Sequence, residues 1–466
     1  MSEKSEEKIN NQKKFPLIVY FSFAFGDLMI ELFVYLFGVR VFSFYENRVL
    51  LHPLLILAAY VIYTLWNMIN DPLIGYVADK PKKFWDRFGK RRPWIIVGGI
   101  GISVSFILIF AVPDFDPVVD GFFIFLWLLL SICLFDTFFS FFDTNYNGLI
   151  PDKFRTDKQR LKLSGFEVGL GIFGSVLGSL VGLIIDYESK ASFVFMAVIF
   201  AFIGLIILAL QQYGIRETKE MKQRYVKSVD EINKVSFIDM LKICIKQRSF
   251  VAYLILFTLY QATIMILLGS IPYLVDFILN EDPDMETVIL LGYILAGLLS
   301  IPIWSKIAKK AGNKKVFIIS GIVMALLIFP FFFANSVIYG VIAAALMGVG
   351  LIGFWLMSNP VLADVIDEAI VNNKVRQEGL YMGVRIFFAR IAILIQALTF
   401  TIIHIITGFD SKLPAQTDLA LIGLRIQMAI IPVILMLLGV FAFWKLYDIT
   451  PEKKKEIKQK LSELNL

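Results

Sequence analysis

The feature that most constrains this chain is a series of twelve apolar runs, each long enough to cross a lipid bilayer. A helix of about 20 apolar residues spans the hydrocarbon core at ~1.5 Å per residue, and inside lipid only helices and closed barrels satisfy every backbone hydrogen bond. We therefore predict an all-α membrane protein with twelve transmembrane helices. The runs fall near residues 16-44, 51-78, 94-112, 121-150, 163-186, 191-213, 250-279, 286-305, 316-335, 337-367, 380-408 and 421-445.

The composition excludes several other classes of protein. Hydrophobic residues make up 58% of the chain and charged residues only 18%, which is outside the range of soluble domains. Cys133 and Cys244 lack metal-ligand spacing, and no His-Cys cluster or Gly-x-Ser-x-Gly turn accompanies the acidic residues. We therefore expect no enzyme activity, no metal site and no nucleic-acid partner. A non-transporting sensor is disfavoured, because it would leave the charges inside the runs unexplained.

The basic residues predict the orientation of the chain in the cell membrane. Of the 45 Lys and Arg residues, 38 fall in segments on the same side as both termini and four on the other side. Basic loops remain in the cytosol, so both termini are expected to be cytoplasmic and residues 1-14 to be retained. We expect the lipid bilayer to surround a monomer.

The longest charged segment divides the chain into two halves. We predict a first six-helix half over 1-213, a cytoplasmic linker over 214-249, a second six-helix half over 250-447 and a cytoplasmic tail over 448-466. A short basic hairpin with a glycine follows the second run, at Gly89, and recurs after the eighth, at Gly312. Equivalent placement in both halves is typical of transporters built from parallel repeats.

Ionisable residues interrupt the apolar runs of the first half. Asp27 and Glu31 lie four residues apart, and so do Asn67 and Asp71, which places each pair on one helix face. The fourth run carries a polar stripe of Asp136, Ser140 and Asp143 that ends in Asn145, Tyr146 and Asn147. A charge inside a membrane costs roughly 3 kcal/mol or more, which indicates a role with ions or substrate. A carboxylate that only caps or packs a helix is the alternative for Asp71.

The second half carries intramembrane charge of the opposite sign. Arg385 and Arg390 lie within the eleventh run, and an arginine that stays charged in lipid must meet carboxylates, water or substrate. Acids of one half facing guanidinium groups of the other predict a polar site between the halves. Snorkelling to the interface is the alternative for Arg385. Asp364 closes the tenth run at the cytoplasmic boundary, where we predict an electrostatic gate or a loop anchor.

Several short strings resemble the melibiose permease-like glycoside-pentoside-hexuronide:cation symporters of the major facilitator superfamily. They recur in order over nearly the whole chain and are Phe25-Gly26-Asp27, Trp66-Asn67-Met68-Ile69-Asn70-Asp71-Pro72, Gly89-Lys90-Arg91-Arg92-Pro93-Trp94, Ala363-Asp364 and Arg376-Gln377-Glu378-Gly379. The resemblance implies the major facilitator fold and cation-coupled sugar transport by alternating access.

By position, the resemblance implies roles for individual residues. Asp27 and Asp143 match acceptors of sugar hydroxyls, and Asp71 matches the essential carboxylate of the cation site. Ser140 falls where a hydroxyl assists the cation, and Arg390 falls where the family has a lysine. We add Glu31, Tyr146 and Asn147 to the expected substrate site, Asn67 to the cation site, and Arg92, Asp364 and Arg376 as gate residues.

Three positions depart from the family pattern. Asn67 stands where sodium-using members have a second carboxylate, Asn147 stands where a Trp borders the sugar, and Glu167 stands near a usual Arg. Because Asn67 brings no negative charge, we expect the coupling ion, H+ or Na+, to be a proton, and we expect no other cofactor. The expected substrate is a sugar or glycoside, and the alternative is a lipid-like amphiphile, which the Phe-rich fourth run and the missing Trp would tolerate.

Overall fold

The structure is a computed structural model that describes residues 15–79, 85–154, 157–186, 189–222, 245–373, 378–413 and 415–463. Within these residues twelve helices are long and apolar enough to cross a membrane, which confirms the predicted all-α architecture. Those of the first half are α1 (Leu17–Asn47), α2 (Pro53–Asp79), α3 (Arg92–Phe110), α4 (Gly121–Lys153), α5 (Asp157–Ser179) and α6 (Lys190–Gln211). Those of the second half are α7 (Arg248–Tyr273), α8 (Asp284–Ala311), α9 (Asn313–Ile328), α10 (Val337–Asn373), α11 (Glu378–Thr407) and α12 (Asp418–Leu446).

Several helices extend beyond the apolar runs that predicted them. α4 continues to Lys153 and α10 to Asn373, several residues past the expected ends at 150 and 367. Hydropathy marks where lipid ends, whereas backbone hydrogen bonds continue into water. Within the predicted tail, residues Pro451–Glu463 form a further helix, α13, which packs against α10.

Each half packs mainly within itself, and a smaller set of contacts joins the halves. α1 packs against α5 and α6, while α8 and α9 pack against α10. The halves meet through α1 with α7, α2 with α11, and α5 with α8. Most of the predicted linker, residues 223–244, lies outside the described residues.

Glycines at four-residue spacing on α5 and its short continuation allow close approaches to α1 and to the residue before α8. A Cβ added at Gly174 would lie 2.5 Å from the carbonyl oxygen of Leu28 on α1, and one at Gly182 would lie 2.2 Å from that of Pro283. Both positions therefore require glycine for close packing. These glycines therefore serve helix packing.

The two ends of the bundle differ in how the halves meet. α1 begins and α12 ends at the same end, since an even number of helices lies between the termini; we call this end the terminal face. The opposite end, which carries the loop after Asn47, is the far face. Apart from the Arg390–Asp71 ion pair, which lies midway along the bundle, the hydrogen bonds and ion pairs between the halves in the described residues lie toward the far face. An example joins Gln396 Nε2 to the Gly38 carbonyl at 3.3 Å.

Candidate functional site

A cluster of polar side chains joins α2, α4 and α11 midway along the bundle. Ser140 Oγ donates a hydrogen bond to Asp71 Oδ1, and the Arg390 guanidinium lies 3.5 Å from Asp71 Oδ2. The sequence predicted that these three residues share a cation site, and the structure brings them together. We call the group the ion cluster; it comprises Asn67, Asn70, Asp71, Asp136, Ser140 and Arg390.

Asp136 lies at the buried side of the ion cluster. It accepts hydrogen bonds from two amides of α2, from Asn67 Nδ2 at Oδ1 and from Asn70 Nδ2 at Oδ2, the second at 3.1 Å. Asn70 Nδ2 also lies 3.2 Å from Ser140 Oγ. The side chain of Asp136 is only 2% exposed, so its charge depends on these amides and on the nearby Arg390.

Four carboxylates form a second group, the acid cluster, between α1, α4 and α5. Its members are Asp27, Glu31, Asp143 and Glu167, and the three others all act electrostatically on Asp27. Asp27, Asp143 and Glu167 each lie ten residues from the terminal-face end of their helix, which is ~15 Å at 1.5 Å per residue. The acid cluster therefore lies near the middle of the membrane, as predicted for a substrate site.

Small and polar neighbours hold the acid cluster open. A Cβ added at Gly171 would lie 2.5 Å from Asp27 Oδ2. The absence of a side chain at this position of α5 therefore leaves room for the Asp27 carboxylate. Tyr146 is buried and donates its hydroxyl hydrogen to Glu167 Oε1 at 3.0 Å. Asn147 is exposed and donates to Asp143 Oδ1 at 2.8 Å. Tyr146 thus orients Glu167, and the exposed Asn147 is a hydrogen-bond donor to Asp143.

Arg385 brings a positive charge to the second half, seven residues after the start of α11 at Glu378. Its Nη1 donates to Asn359 Oδ1 at 2.8 Å, and its guanidinium lies 4.5 Å from the centre of the Phe257 ring. These partners carry no negative charge, in contrast to Asp71 beside Arg390. Both partners belong to the second half, Asn359 to α10 and Phe257 to α7.

A network at the far face joins the halves through buried charges. Both terminal nitrogens of Arg40 donate to the carboxylate of Glu286, and neither side chain is more than 1% exposed. Arg48 pairs with Asp276 at 2.5 Å in a partly exposed position. We call these two pairs the far-face network; they connect α1 to α8 and to the continuation of α7.

Glu46 makes a third connection between the halves. It accepts a hydrogen bond from the Tyr273 hydroxyl at 2.5 Å and lies 2.6 Å from His404 Nδ1. Its backbone carbonyl also accepts from Ser411 Oγ at 2.9 Å. His404 and Tyr273 of the second half thus both contact Glu46 of α1.

The predicted gate residues have partners in their own halves. Arg92 Nη2 donates to Gln212 Oε1 at 3.2 Å, and Asp364 accepts from Asn313 and from Lys454 of α13. Asp364 therefore anchors α13, a contact that the sequence did not predict. Arg376 lies outside the described residues.

A neighbouring pair strengthens the attachment of α13. Lys453 Nζ lies 2.5 Å from Glu368 and 2.8 Å from Asp448. Partial burial lowers the pKa of Lys453, but hydrogen bonds to these two carboxylates outweigh that effect and raise it. The lysine stays charged, so the attachment persists at neutral pH.

Comparison with known proteins identifies the family. The family model described as MFS/sugar transport protein matches residues 22–451. The chain belongs to this family. A sodium-dependent lysophosphatidylcholine symporter of Xenopus tropicalis is 24% identical over 436 residues, which cover 85% of this chain and 80% of that protein. A lactose permease of Lactobacillus delbrueckii is 24% identical over 85% of this chain and 64% of the permease.

The fold of this MFS protein matches solved structures of the same class. The crystal structure of a D-xylose-proton symporter superposes with a TM-score of 0.63 over 92% of this chain and 98% of that chain, at 14% identity. Family membership and fold agree that the chain is a multi-pass membrane symporter of the major facilitator type and not an enzyme.

Two residues of this MFS protein, Asp136 and Arg40, were not assigned to a site from the sequence. Asp136 was recognised in the stripe of α4, but nothing in a single chain says that this face meets Asn67 and Asn70. Arg40 was counted among external charges, although Glu286, its partner, lies 246 positions away. An acid followed by a hydroxyl at four-residue spacing, as in Asp136 and Ser140, is the one signal that favoured adding Asp136 to the ion site.

Proposed function

We propose that this chain couples the inward movement of sodium ions to symport of a lysophospholipid-like amphiphile. The observation that carries the coupling is the approach of Arg390 in the second half to Asp71 in the first, at 3.5 Å. A cation bound at Asp71 competes with the guanidinium for the same carboxylate. Ion binding therefore changes the attraction between two halves that must move relative to each other.

The choice of sodium differs from the proton that the sequence favours. The relatives that are named as sodium-dependent support it, and so does the local chemistry. Asp71 and Ser140 offer hard oxygen ligands within one hydrogen bond of each other, which suit a hard cation. Uptake that is driven by a proton gradient and does not respond to sodium would replace sodium with a proton as the coupling ion.

Arg385 supports an amphiphile that carries an anionic group. Its described partners, Asn359 and Phe257, are uncharged, so a phosphodiester would give it the missing counter-charge and charge-assisted hydrogen bonds. The acid cluster of the opposite half would attract a positively charged headgroup. A zwitterion such as phosphocholine presents both charges, and the names of the relatives point to the same substrate class.

Binding measurements on Arg385→Gln test this assignment. We expect affinity for lysophosphatidylcholine to fall by about tenfold or more, because a hydrogen bond to a charged group contributes about 1.5–3 kcal/mol. Affinity for a monoacylglycerol, which lacks the phosphate, should be unchanged. Arg248→Gln, at an exposed arginine of the terminal face, is the matched control. Equal affinity of Arg385→Gln and wild type for lysophosphatidylcholine would refute the assignment.

A sugar is the second candidate, and the acid cluster is the observation that favours it. Carboxylates accept paired hydrogen bonds from adjacent hydroxyls, and Asp27 and Asp143 both lie half-buried at the expected depth. The description of the family model and the lactose permease support this candidate as well. Saturable uptake of lactose or melibiose, with none of lysophosphatidylcholine, would replace our first choice with the second.

The orientation of the chain completes the proposal. Basic segments at the terminal face support a cytoplasmic location for both termini, and the buried links between the halves at the far face then close the outer entrance. This arrangement corresponds to a carrier that is open toward the cytosol. A C-terminal epitope that antibody reaches only after permeabilisation supports this orientation, and one that is reached in intact cells contradicts it.

A further inference from the structure

The charges of the ion cluster do not balance. Asp71 and Asp136 bring two carboxylates, and Arg390 is the one cation that contacts the cluster among the described residues. The guanidinium lies beside Asp71, whereas Asp136 receives its hydrogen bonds from the neutral amides of Asn67 and Asn70. A carboxylate that is 2% exposed is costly to bury without a compensating charge. With Arg390 as its cation, the cluster carries one surplus negative charge whenever both carboxylates are ionised, and a bound cation would neutralise it.

An unsatisfied oxygen lies beside that charge. Asn67 is 0% exposed, and its Oδ1 has no hydrogen-bond partner within the described part of the chain, although its Nδ2 donates to Asp136. If the Asn67 amide were flipped, its oxygen would face the Asp136 carboxylate. The hydrogen bond to Asp136 therefore fixes the orientation of the amide. A buried acceptor without a donor normally costs ~1–3 kcal/mol. A bound cation removes that cost, since Asn67 Oδ1 and Asp136 can both ligate it.

We propose that Asp136 is the second carboxylate of the coupling-ion site and supplies the charge that Asn67 lacks. This inference rests on the proposed ion coupling and names the chain's own residue for it. The ligands are oxygens of Asp71, Asp136, Asn67 and Ser140, contributed by two neighbouring helices. Asp136 and Asn67 face each other directly, so exchanging their side-chain types moves the charge from α4 to α2 within one site.

Sodium titrations of the purified full chain, without substrate, test the inference. The fluorescence of Trp66 is a useful reporter of ion binding. Its Nε1 donates to Thr137 Oγ1 at 3.2 Å. In sequence, Trp66 is next to Asn67 and Thr137 is next to Asp136. We expect Asp136→Asn to lower sodium affinity about tenfold or more, since affinity at an oxygen site depends on the number of charged ligands. The double variant Asn67→Asp/Asp136→Asn should recover most of that loss.

Two controls make the fluorescence change specific. Asp114→Asn removes an exposed carboxylate from the far-face loop before α4 and should bind sodium as wild type does. Trp66→Phe should abolish the fluorescence change while calorimetry still detects the ion. Sodium binding by Asp136→Asn with wild-type affinity would overturn the inference.

The double variant keeps the test decisive if Asp136→Asn alone does not fold. A folded double variant that binds sodium supports the exchange of charge, and one that does not bind overturns it. Failure of the proposed function has a different signature. In that case wild type itself binds no sodium and shows no sodium-driven uptake, whereas failure of this inference leaves both intact and changes only the role of Asp136.

Discussion

Arg40 on α1 and Glu286 on α8 form a doubly hydrogen-bonded ion pair that is fully buried between the two halves of the protein. Removing one member of a buried pair leaves an uncompensated charge, at a cost of about 3–5 kcal/mol. The pair is formed when the far face is closed. Removing one member therefore destabilises the closed state relative to a state that is open at this face. The pair therefore contributes to keeping this face closed.

We predict that Arg40→Ala shifts the protein toward states that are open at the far face. Ser43 is 6% exposed in the interface beside Arg40, so a cysteine there reports opening. In a background in which Cys133 and Cys244 are replaced, Ser43→Cys should react with an impermeant maleimide several-fold faster when Arg40→Ala is also present. An unchanged labelling rate would contradict a gating role for the pair.

The neighbouring pair provides a matched control. Arg48 and Asp276 also join the halves, but their side chains are 19% and 22% exposed. Exposed ion pairs contribute only about 0–1 kcal/mol. Arg48→Ala should therefore change the labelling rate much less than Arg40→Ala, and an equal effect would mean that burial is not what distinguishes the two pairs.

The second prediction concerns Arg390. Replacing it by alanine removes the guanidinium beside Asp71 from a cluster that holds two carboxylates, so transport should fall severely. Arg390→Lys should retain part of the activity, since the 3.5 Å contact is a single one and needs a charge more than a bidentate group. Uptake rates in proteoliposomes at equal protein density measure both, and native activity of the alanine variant would show that Arg390 has no part in transport.

The third prediction separates the two substrate candidates at the acid cluster. Asp27→Asn should weaken binding of lysophosphatidylcholine about fivefold, because the cluster attracts its cationic headgroup. Lysophosphatidic acid, which lacks that cation, should bind no more weakly to the variant than to wild type. If the substrate is instead a sugar, Asp27→Asn and Asp143→Asn should each abolish sugar binding, as measured by calorimetry. Unchanged affinity for every ligand would remove the acid cluster from the substrate site.

The fourth prediction concerns the attachment of α13. Lys453 and Lys454 pair with Glu368 and Asp364 of α10, so replacing both lysines by alanine should speed hydrogen exchange in residues 451–463. Lys455 and Lys460 lie on the exposed side of the same helix, and their double replacement is the control with matched charge. Equal exchange in the two double variants would show that the ion pairs do not hold α13.

Much of the fold follows from the sequence because lipid imposes a strict rule. Every spanning segment must be helical and about 20 residues long, so the apolar runs locate all twelve helices. Some ends still differ, since α5 begins six residues before its run and α10 ends six residues after its run. The same rule marks Asp71 and Arg390 as exceptional, because charge in lipid requires a partner. The ion cluster could therefore be anticipated in part before its helices were known to meet.

The remaining features depend on which helix faces meet, and a single sequence does not contain that information. Asp136 lies on α4 at a spacing compatible with several neighbours, and only the packing of α4 on α2 brings it to Asn67. Arg40 has an ordinary sequence context near a loop, and its role appears only when α8 supplies Glu286. The polar tail likewise gave no sign that Lys454 would attach it to Asp364.

Uptake of radiolabelled lysophosphatidylcholine into proteoliposomes, driven by an imposed sodium gradient at clamped pH, tests the central claim most directly. Accumulation above the equilibrium level should occur with wild type and be lost in Asp71→Asn, while the variant still exchanges bound substrate across the membrane. Lactose and melibiose, supplied in parallel, should not accumulate. Accumulation of either sugar without lysophosphatidylcholine, or uptake that follows an imposed proton gradient and ignores sodium, would contradict the account.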